Sequence, residues 1–439
     1  MKKDNYLEVL EEAKELDKRF NFFNTLNERK FNGFPIAVKD NICTKGIKTS
    51  AGSRILENFT PTYDAFVVKR LREEGFDVLG KTSMDEFGFG SFSTNTFKIP
   101  KNPHDVQRSC GGSSGGSAGY IAASKFAKFA IAQSTGGSIS CPASFCGVVG
   151  LTPSYGLISR NGLIDFASSL DKIGVVAKSV FYAAKGLSVI SGKDNLDMTN
   201  VFGNKTDYKK EIGKTEIGNK IAIIKELVGE GVQKEVLKLF WKSVDRLKEI
   251  DFKVEEISFP LAEFGIETYY ILAFSEASTN LARYYGMNFG ISKKIESENF
   301  DDFSSIVREE GFGLEAKRRI IMGTLIRMLG YNDKYYMKAL KVKRALSLEF
   351  ERLFSKYDFI ISPTMPFVAP KFSEIDKMSA VESYATDKLT VLPNIAGLPH
   401  ISVPAGLVND LPVGIQFIGR KCSEQKLLEV AYRYEQSKK

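Results

Sequence analysis

The amino-acid sequence predicts an α/β protein whose middle portion is mostly helical. Helical and strand patterns alternate with short connections over residues 31–202. The alternation resumes at 220–257 and again from 357 onward, whereas 267–354 reads as helix almost throughout. No internal repeat or low-complexity tract interrupts the 439 residues. The charged, turn-rich stretch 203–218 is the expected internal boundary of a chain read as one domain. Within that domain, 1–30 is a helical lead-in, 31–202 the core, 203–354 a second, mostly helical portion, and 355–439 the return to the sheet.

Residues 4–20 place Tyr6, Leu10, Ala13, Leu16 and Phe20 at helical spacing between charges, the pattern of an amphipathic helix. The run 35–38 is a short apolar strand ending on Lys39, Asp40 and Asn41, and three polar groups at a strand's end suit a site facing a cleft. A helix over 65–74 leads to a strand over 76–79. The segment 118–132, rich in Ala with scattered Ile, Tyr and Phe, is expected to be a helix packed close to other backbone. Strands over 148–151 and 173–176 flank a polar, glycine-containing loop, 154–171, expected to line a site. Beyond 218 come a strand (220–225), a helix marked by Val232, Val236, Leu239, Phe240, Val244 and Leu247, and a strand (252–257). Strands over 357–362, 401–404 and 412–420 follow the helical portion, and a helix over 424–436 ends the chain.

Composition narrows the function classes. Hydrophobic content of 43% with 26% charged residues is that of a globular protein with ample length to bury a core. No run of eighteen apolar residues is present, so no membrane span is expected. The start, M-K-K-D-N-Y-L-E-V-L, lacks the apolar stretch of a secretory signal and carries acids unlike an ordinary transit peptide. Five cysteines without C-x-x-C spacing argue against disulfide or zinc scaffolding and for a reducing compartment. Two histidines, His104 and His400, leave little room for His-rich metal sites. A net charge of +8, dispersed rather than blocked, permits an anionic partner such as RNA without demanding one.

The stretch 110–142 carries the chemistry. It reads C-G-G-S-S-G-G-S-A-G-Y through to S-T-G-G-S-I-S-C-P, so two glycine-serine turns, 111–117 and 135–138, bracket the Ala-rich segment. Glycines beside serines let backbone N–H groups converge on an oxyanion while a hydroxyl sits exposed. A flexible linker would be polar throughout, and this segment is not. A Walker-type phosphate loop needs a Lys after its glycines, and none follows. A nucleophile with an oxyanion hole is the reading that remains.

G-F-P-I-A-V-K-D-N, G-G-S-S-G-G-S-A, T-G-G-S-I and F-C-G-V-V-G-L-T-P-S-Y-G-L-I-S-R together resemble the amidase signature family, over nearly the whole chain. M-D-E-F-G-F-G-S-F-S-T-N-T, F-A-S-S-L-D-K-I-G, S-E-A-S-T-N-L-A-R and K-R-R-I-I-M-G-T are similar in particular to the glutaminase subunits of tRNA-dependent amidotransferases. The resemblance implies a large mixed β-sheet covered on both faces by helices. It implies a Ser–Ser–Lys triad: Ser138 as nucleophile, Ser113 as the bridging serine held through a cis peptide (Ser114 being its competitor), and Lys39 as base. The N–H groups of Thr135, Gly136, Gly137 and Ser138 would form the oxyanion hole. For glutamine as substrate, Asp387 would take the α-ammonium and Arg319, rather than Arg318, the α-carboxylate. Tyr270 or Tyr269 would close the pocket. No cofactor or metal is implied in this chain. ATP and Mg²⁺ would belong to a B-type partner that amidates glutamate on tRNA(Gln), with a C-type or replacement subunit completing a heterotrimer. The setting would be the cytoplasm, or the mitochondrial matrix in a eukaryote.

The chemistry is coherent without the family. A serine hydroxyl is a poor nucleophile until a base takes its proton. A lysine can be that base once burial lowers its pKa toward neutrality. The chain departs from the family's D-T-G-G-S-I-R at two positions, with Ser134 and Ser140 in place of the acid and the base. Both losses together compensate in charge, which suggests that the family's Asp and Arg pair with one another. Cys110 stands where the family often has proline, one extra residue lies between the serine turns, and the region before Lys39 is short. Two rivals remain: a stand-alone amidase for small amides, which would not need Arg319, and a catalytically silent structural subunit, argued by Ser134 and Ser140.

Overall fold

In a computed structural model, which describes residues 6–29, 31–291 and 299–438, the sheet runs through the whole chain. Its strands are β1 (Phe23–Leu26), β2 (Phe34–Lys39), β3 (Phe76–Thr82), β4 (Phe129–Ser134), β5 (Val149–Thr152), β6 (Lys172–Ala177), β7 (Lys220–Ile224), β8 (Lys253–Ile257), β9 (Phe359–Pro363), β10 (His400–Val408) and β11 (Leu411–Gly419). They form one 11-stranded sheet in the order β1-β3-β2-β4-β6-β5-β10-β11-β9-β7-β8. It is mixed. β2 runs parallel to both β3 and β4, the strands from β4 to β9 pair antiparallel, and β9, β7 and β8 are parallel again. Strands on either side of residues 203–218 therefore share one sheet, through the pairing of Leu151 with Ile401.

Both faces are covered, which is why the strands read as apolar runs rather than alternations. Along β4, Phe129 and Ile131 enter one core with Val38, Val175 and Leu187. Ala130 and Ala132 enter another with Leu79, Ile121 and Ile139. The helices are α1 (Tyr6–Phe20), α2 (Phe66–Glu73), α3 (Gly115–Ala123), α4 (Ser140–Cys146), α5 (Val180–Ile190), α6 (Lys234–Glu249) and, in the helical portion, α7 (Gly265–Asn280), α8 (Phe300–Gly311), α9 (Leu314–Arg327) and α10 (Tyr336–Leu353). A helix over Glu424–Gln436 ends the chain. The expected start of the first helix at residue 4 lies outside the described residues.

One expected element is corrected. The segment 118–132 is not a single helix: α3 stops at Ala123, and β4 begins at Phe129. Ser124 makes the break. Its hydroxyl accepts from the N–H groups of Phe126 (3.2 Å) and Ala127 (2.9 Å), the local side-chain bonding that competes with helix. β4 is thereby placed between β2 and β6, near the middle of the sheet. The small residues of α3 do lie against other backbone. A Cβ at Gly116 would come within 2.5 Å of the Phe22 carbonyl oxygen. The edge strand β1 went unforeseen, because four residues of mixed polarity carry almost no periodic signal.

Candidate active site

β2 and β4 run parallel side by side, so their C-terminal ends deliver Lys39 and the turn 135–138 to one place. Lys39 is fully buried. Its Nζ lies 2.8 Å from Ser113 Oγ, 2.9 Å from the Gln133 carbonyl oxygen and 3.0 Å from Gln133 Oε1. The Gly112–Ser113 peptide is cis. Ser114 turns elsewhere: its hydroxyl donates to the Gln133 carbonyl (3.0 Å) and its N–H to the Ser138 carbonyl (3.2 Å). Ser113 is thus the serine that the geometry sets against the lysine.

Burial lowers the Lys39 pKa to about 7, against the pull of Asp85 and Asp171 toward the charged form. Those two carboxyls are themselves pushed up to about 7 by burial, Asp85 despite the N–H groups of Ser93 and Asn95, and Asp171 despite the Thr135 hydroxyl. Lys39 therefore changes charge near neutrality, the range a general base needs.

The turn after β4 needs glycines for close approach. A Cβ on Gly136 would meet the Tyr269 ring at 2.6 Å, and one on Gly137 the Thr390 hydroxyl at 2.3 Å. Asn394 pins the turn from outside by donating to the Gly136 carbonyl and, at 2.9 Å, to the Thr390 carbonyl. Among the described residues, no backbone hydrogen bond takes the N–H groups of Gly136, Gly137 or Ser138. Such free, fixed donors beside a serine can stabilise an oxyanion.

Ser138 lines a pocket together with Gly137, Tyr269, Tyr270, Arg319 and Asp387. Arg319 is buried; its Nε donates to Glu315 Oε1 at 2.8 Å. Five rings, those of Phe89, Phe166, Tyr270, Phe274 and Tyr384, surround its guanidinium at 5.0–5.7 Å. Arg318 is half-buried and pairs with the other oxygen of Glu315. Asp387 accepts from Ser91 Oγ (2.9 and 3.0 Å) and from the Tyr270 hydroxyl (2.7 Å). Burial raises its pKa against those hydrogen bonds. Tyr270 thus belongs to the carboxylate and Tyr269 to the glycine turn.

Sequence reading missed several residues of this arrangement. Asp85 and Asp171 lie within M-D-E-F-G-F-G and F-A-S-S-L-D-K-I-G, so those motifs were the signal for them. Ser91 falls in the first of those motifs as well, in its continuation S-F-S-T-N-T, whereas Gln133, Glu315 and Asn394 left none. The loop 154–171 does reach the site, through Phe166 over Arg319 and through Asp171 on Thr135 (2.6 Å). Ser134 and Ser140 are both buried, and neither hydroxyl has a hydrogen-bond partner. Among the described residues, no three His, Cys, Asp or Glu side chains converge as a metal site requires, and no helix is long and apolar enough to cross a membrane.

A glycine-serine turn, a buried lysine against a cis serine, and a mixed sheet covered on both faces define a class of protein, and similarity to known proteins gives that class its name. The amidase family model matches residues 5–428, and the chain belongs to that family. Among curated proteins it is similar to the A-type subunit of the glutamyl-tRNA(Gln) amidotransferase of Thermoanaerobacter pseudethanolicus, 46% identical over 433 residues, covering 98% of this chain and 87% of that one. The corresponding protein of Methanosarcina mazei is 42% identical over 430 residues, covering 98% and 88%. Among solved structures, the A-type subunit of the Thermotoga maritima glutamyl-tRNA(Gln) amidotransferase superposes with a TM-score of 0.84 at 38% identity, covering 98% of this chain and 90% of that one. A peptide amidase of Stenotrophomonas maltophilia superposes at 0.74 with 29% identity, covering 98% and 87%.

Proposed function

We propose that this chain is the glutamine-hydrolysing subunit of a glutamyl-tRNA(Gln) amidotransferase. The observation that carries the reading is the composition of one cavity: Ser138 shares it with a buried guanidinium, Arg319, and a buried carboxylate, Asp387. An α-amino acid carries the two complementary charges, and a simple amide carries neither. That favours glutamine over the small amides of a stand-alone amidase. Ser138 attacks the side-chain amide carbon of glutamine. Its proton passes to Ser113 Oγ, whose own proton passes to Lys39 Nζ. The N–H groups of the turn 135–138 receive the oxyanion. Returning the proton expels ammonia and leaves a glutamyl ester on Ser138, which water cleaves by the same relay.

The ammonia serves a B-type partner that uses ATP and Mg²⁺ to convert Glu-tRNA(Gln) to Gln-tRNA(Gln), with a C-type or replacement subunit completing the assembly. What supports a partner is that similar proteins are named as subunits. Leu314, Ile321 and Leu329 are also exposed along 314–329, apolar surface of the kind partners cover. Bacterial and archaeal relatives favour a cytoplasmic setting.

The test is ammonia release from glutamine by the chain alone, then with the B-type partner, ATP, Mg²⁺ and Glu-tRNA(Gln). Release that the partner and charged tRNA stimulate, and that Ser138→Ala abolishes, is the expected result. Equal hydrolysis of many amides without any partner would overturn the reading in favour of a free amidase.

A further inference from the structure

We propose that Gln133 is a positioning residue of the relay: its two oxygens orient the Lys39 amine so that the amine's lone pair points at Ser113. The inference rests on the reading of Ser138, Ser113 and Lys39 as a relay, and it adds a residue that no part of that reading requires.

A neutral lysine has two N–H bonds and one lone pair. Lys39 Nζ has three near partners, the Gln133 carbonyl at 2.9 Å, Gln133 Oε1 at 3.0 Å and Ser113 Oγ at 2.8 Å. The first two are oxygens that can only accept. They consume both N–H bonds, and the remaining direction, that of the lone pair, falls on the one partner with a proton to give. With a single acceptor the amine could rotate and present N–H to the serine, where it cannot act as a base.

The amide cannot turn over. Gln133 Oε1 also accepts from Asn41 Nδ2 (3.2 Å), and Nε2 donates to Thr135 Oγ1 (2.8 Å) and Asp171 Oδ1 (3.0 Å). Reversing it would set donors against Lys39 and Asn41 and an acceptor against Asp171. Asp171 is fixed in turn, its Oδ2 accepting the N–H groups of Phe166 (2.8 Å) and Ala167 (3.1 Å). Gln133 is fully buried, so water cannot substitute for any of these contacts. The charged groups that bear on Lys39 are Asp85, from the segment after β3, and Asp171, from the segment before β6.

The test follows the reaction of Ser138 with a fluorophosphonate, in which the serine oxygen bonds to phosphorus, fluoride leaves and the proton goes to the relay. This readout does not depend on glutamine being the substrate. In Gln133→Met the amine loses an acceptor that favours its charged form. The rate should fall by about tenfold or more through misorientation, and its pH midpoint should move down by about one unit. Gln133→Glu keeps an acceptor toward Lys39, and its second oxygen, set where Nε2 donated to Asp171 Oδ1 at 3.0 Å, adds negative charge or holds a shared proton there, so its midpoint should lie at the parent value or above. A Gln133→Met midpoint equal to the parent's, with or without a slower rate, would reduce Gln133 to a packing residue. If Gln133→Met does not fold, the Gln133→Glu midpoint decides, and a value below the parent's overturns the proposal. A parent chain whose Ser138 is not labelled would overturn the relay reading itself, and this inference with it. Labelling of Ser138 without glutamine hydrolysis would overturn only the substrate.

Discussion

Among single residues, Lys39, the proposed base, should govern the pH response. Its pKa is lowered by burial from 10.5 to about 7, so it is charged below that value and cannot accept a proton there. The rate of glutamine hydrolysis at saturating substrate should rise through a midpoint near 7, read from a pH profile between 5 and 9. Lys39→Arg should show no such rise, because a guanidinium keeps its proton throughout. Arg319 makes a different prediction. Its planar group fits both Glu315 and the surrounding rings, and an ammonium cannot reproduce that. Arg319→Lys should raise the KM for glutamine by about 10- to 100-fold with a smaller change in kcat. An unchanged KM would remove Arg319 from substrate recognition.

Among the elements, the two ends of the glycine-serine turn are held by packing and not by charge. Ser134 closes β4 and Ser140 opens α4, both buried with unpartnered hydroxyls. A lone carboxylate in such a place costs about 3–5 kcal/mol, whereas a paired substitution can be near neutral. Ser134→Asp should therefore lower stability by that order in denaturant unfolding, and Ser134→Asp with Ser140→Arg should recover most of it. Failure of the double variant to recover would mean that the two positions do not pair. The misread segment 118–132 is also a matter of elements. Apolar small residues suit both a close-packed helix and a fully buried strand, so periodicity alone could not divide α3 from β4. The Ser124 turn did.

For the molecule as a whole, the site is built at a cost to stability. Lys39 has a folded pKa near 7 and an unfolded one near 10.5. Below 7 both states hold the proton and the fold bears the full cost of burying the charge. Between 7 and 10.5 the folded lysine sheds it, and stability recovers as the pH rises. The change in melting temperature on Lys39→Met should therefore be more favourable at pH 6 than at pH 9. A pH-independent difference would argue against a buried ammonium.

Sequence alone was enough for the α/β class, for most elements to within a few residues, and for the residue types that converge on the site. Those properties lie in short stretches: a strand ending on Lys39, glycines beside Ser113 and Ser138, an Arg and an Asp in separable motifs. Which atoms meet was decided by the tertiary fold. Phe89, Phe166 and Tyr384 come from distant parts of the chain to surround Arg319, and Asn394 reaches the carbonyl of Gly136. The Gln133 amide takes its orientation from Lys39, Asn41, Thr135 and Asp171 together. Hydrophobic pattern reports whether a side chain is buried and is silent on its partner, because a hydrogen bond depends on atoms that the pattern does not locate.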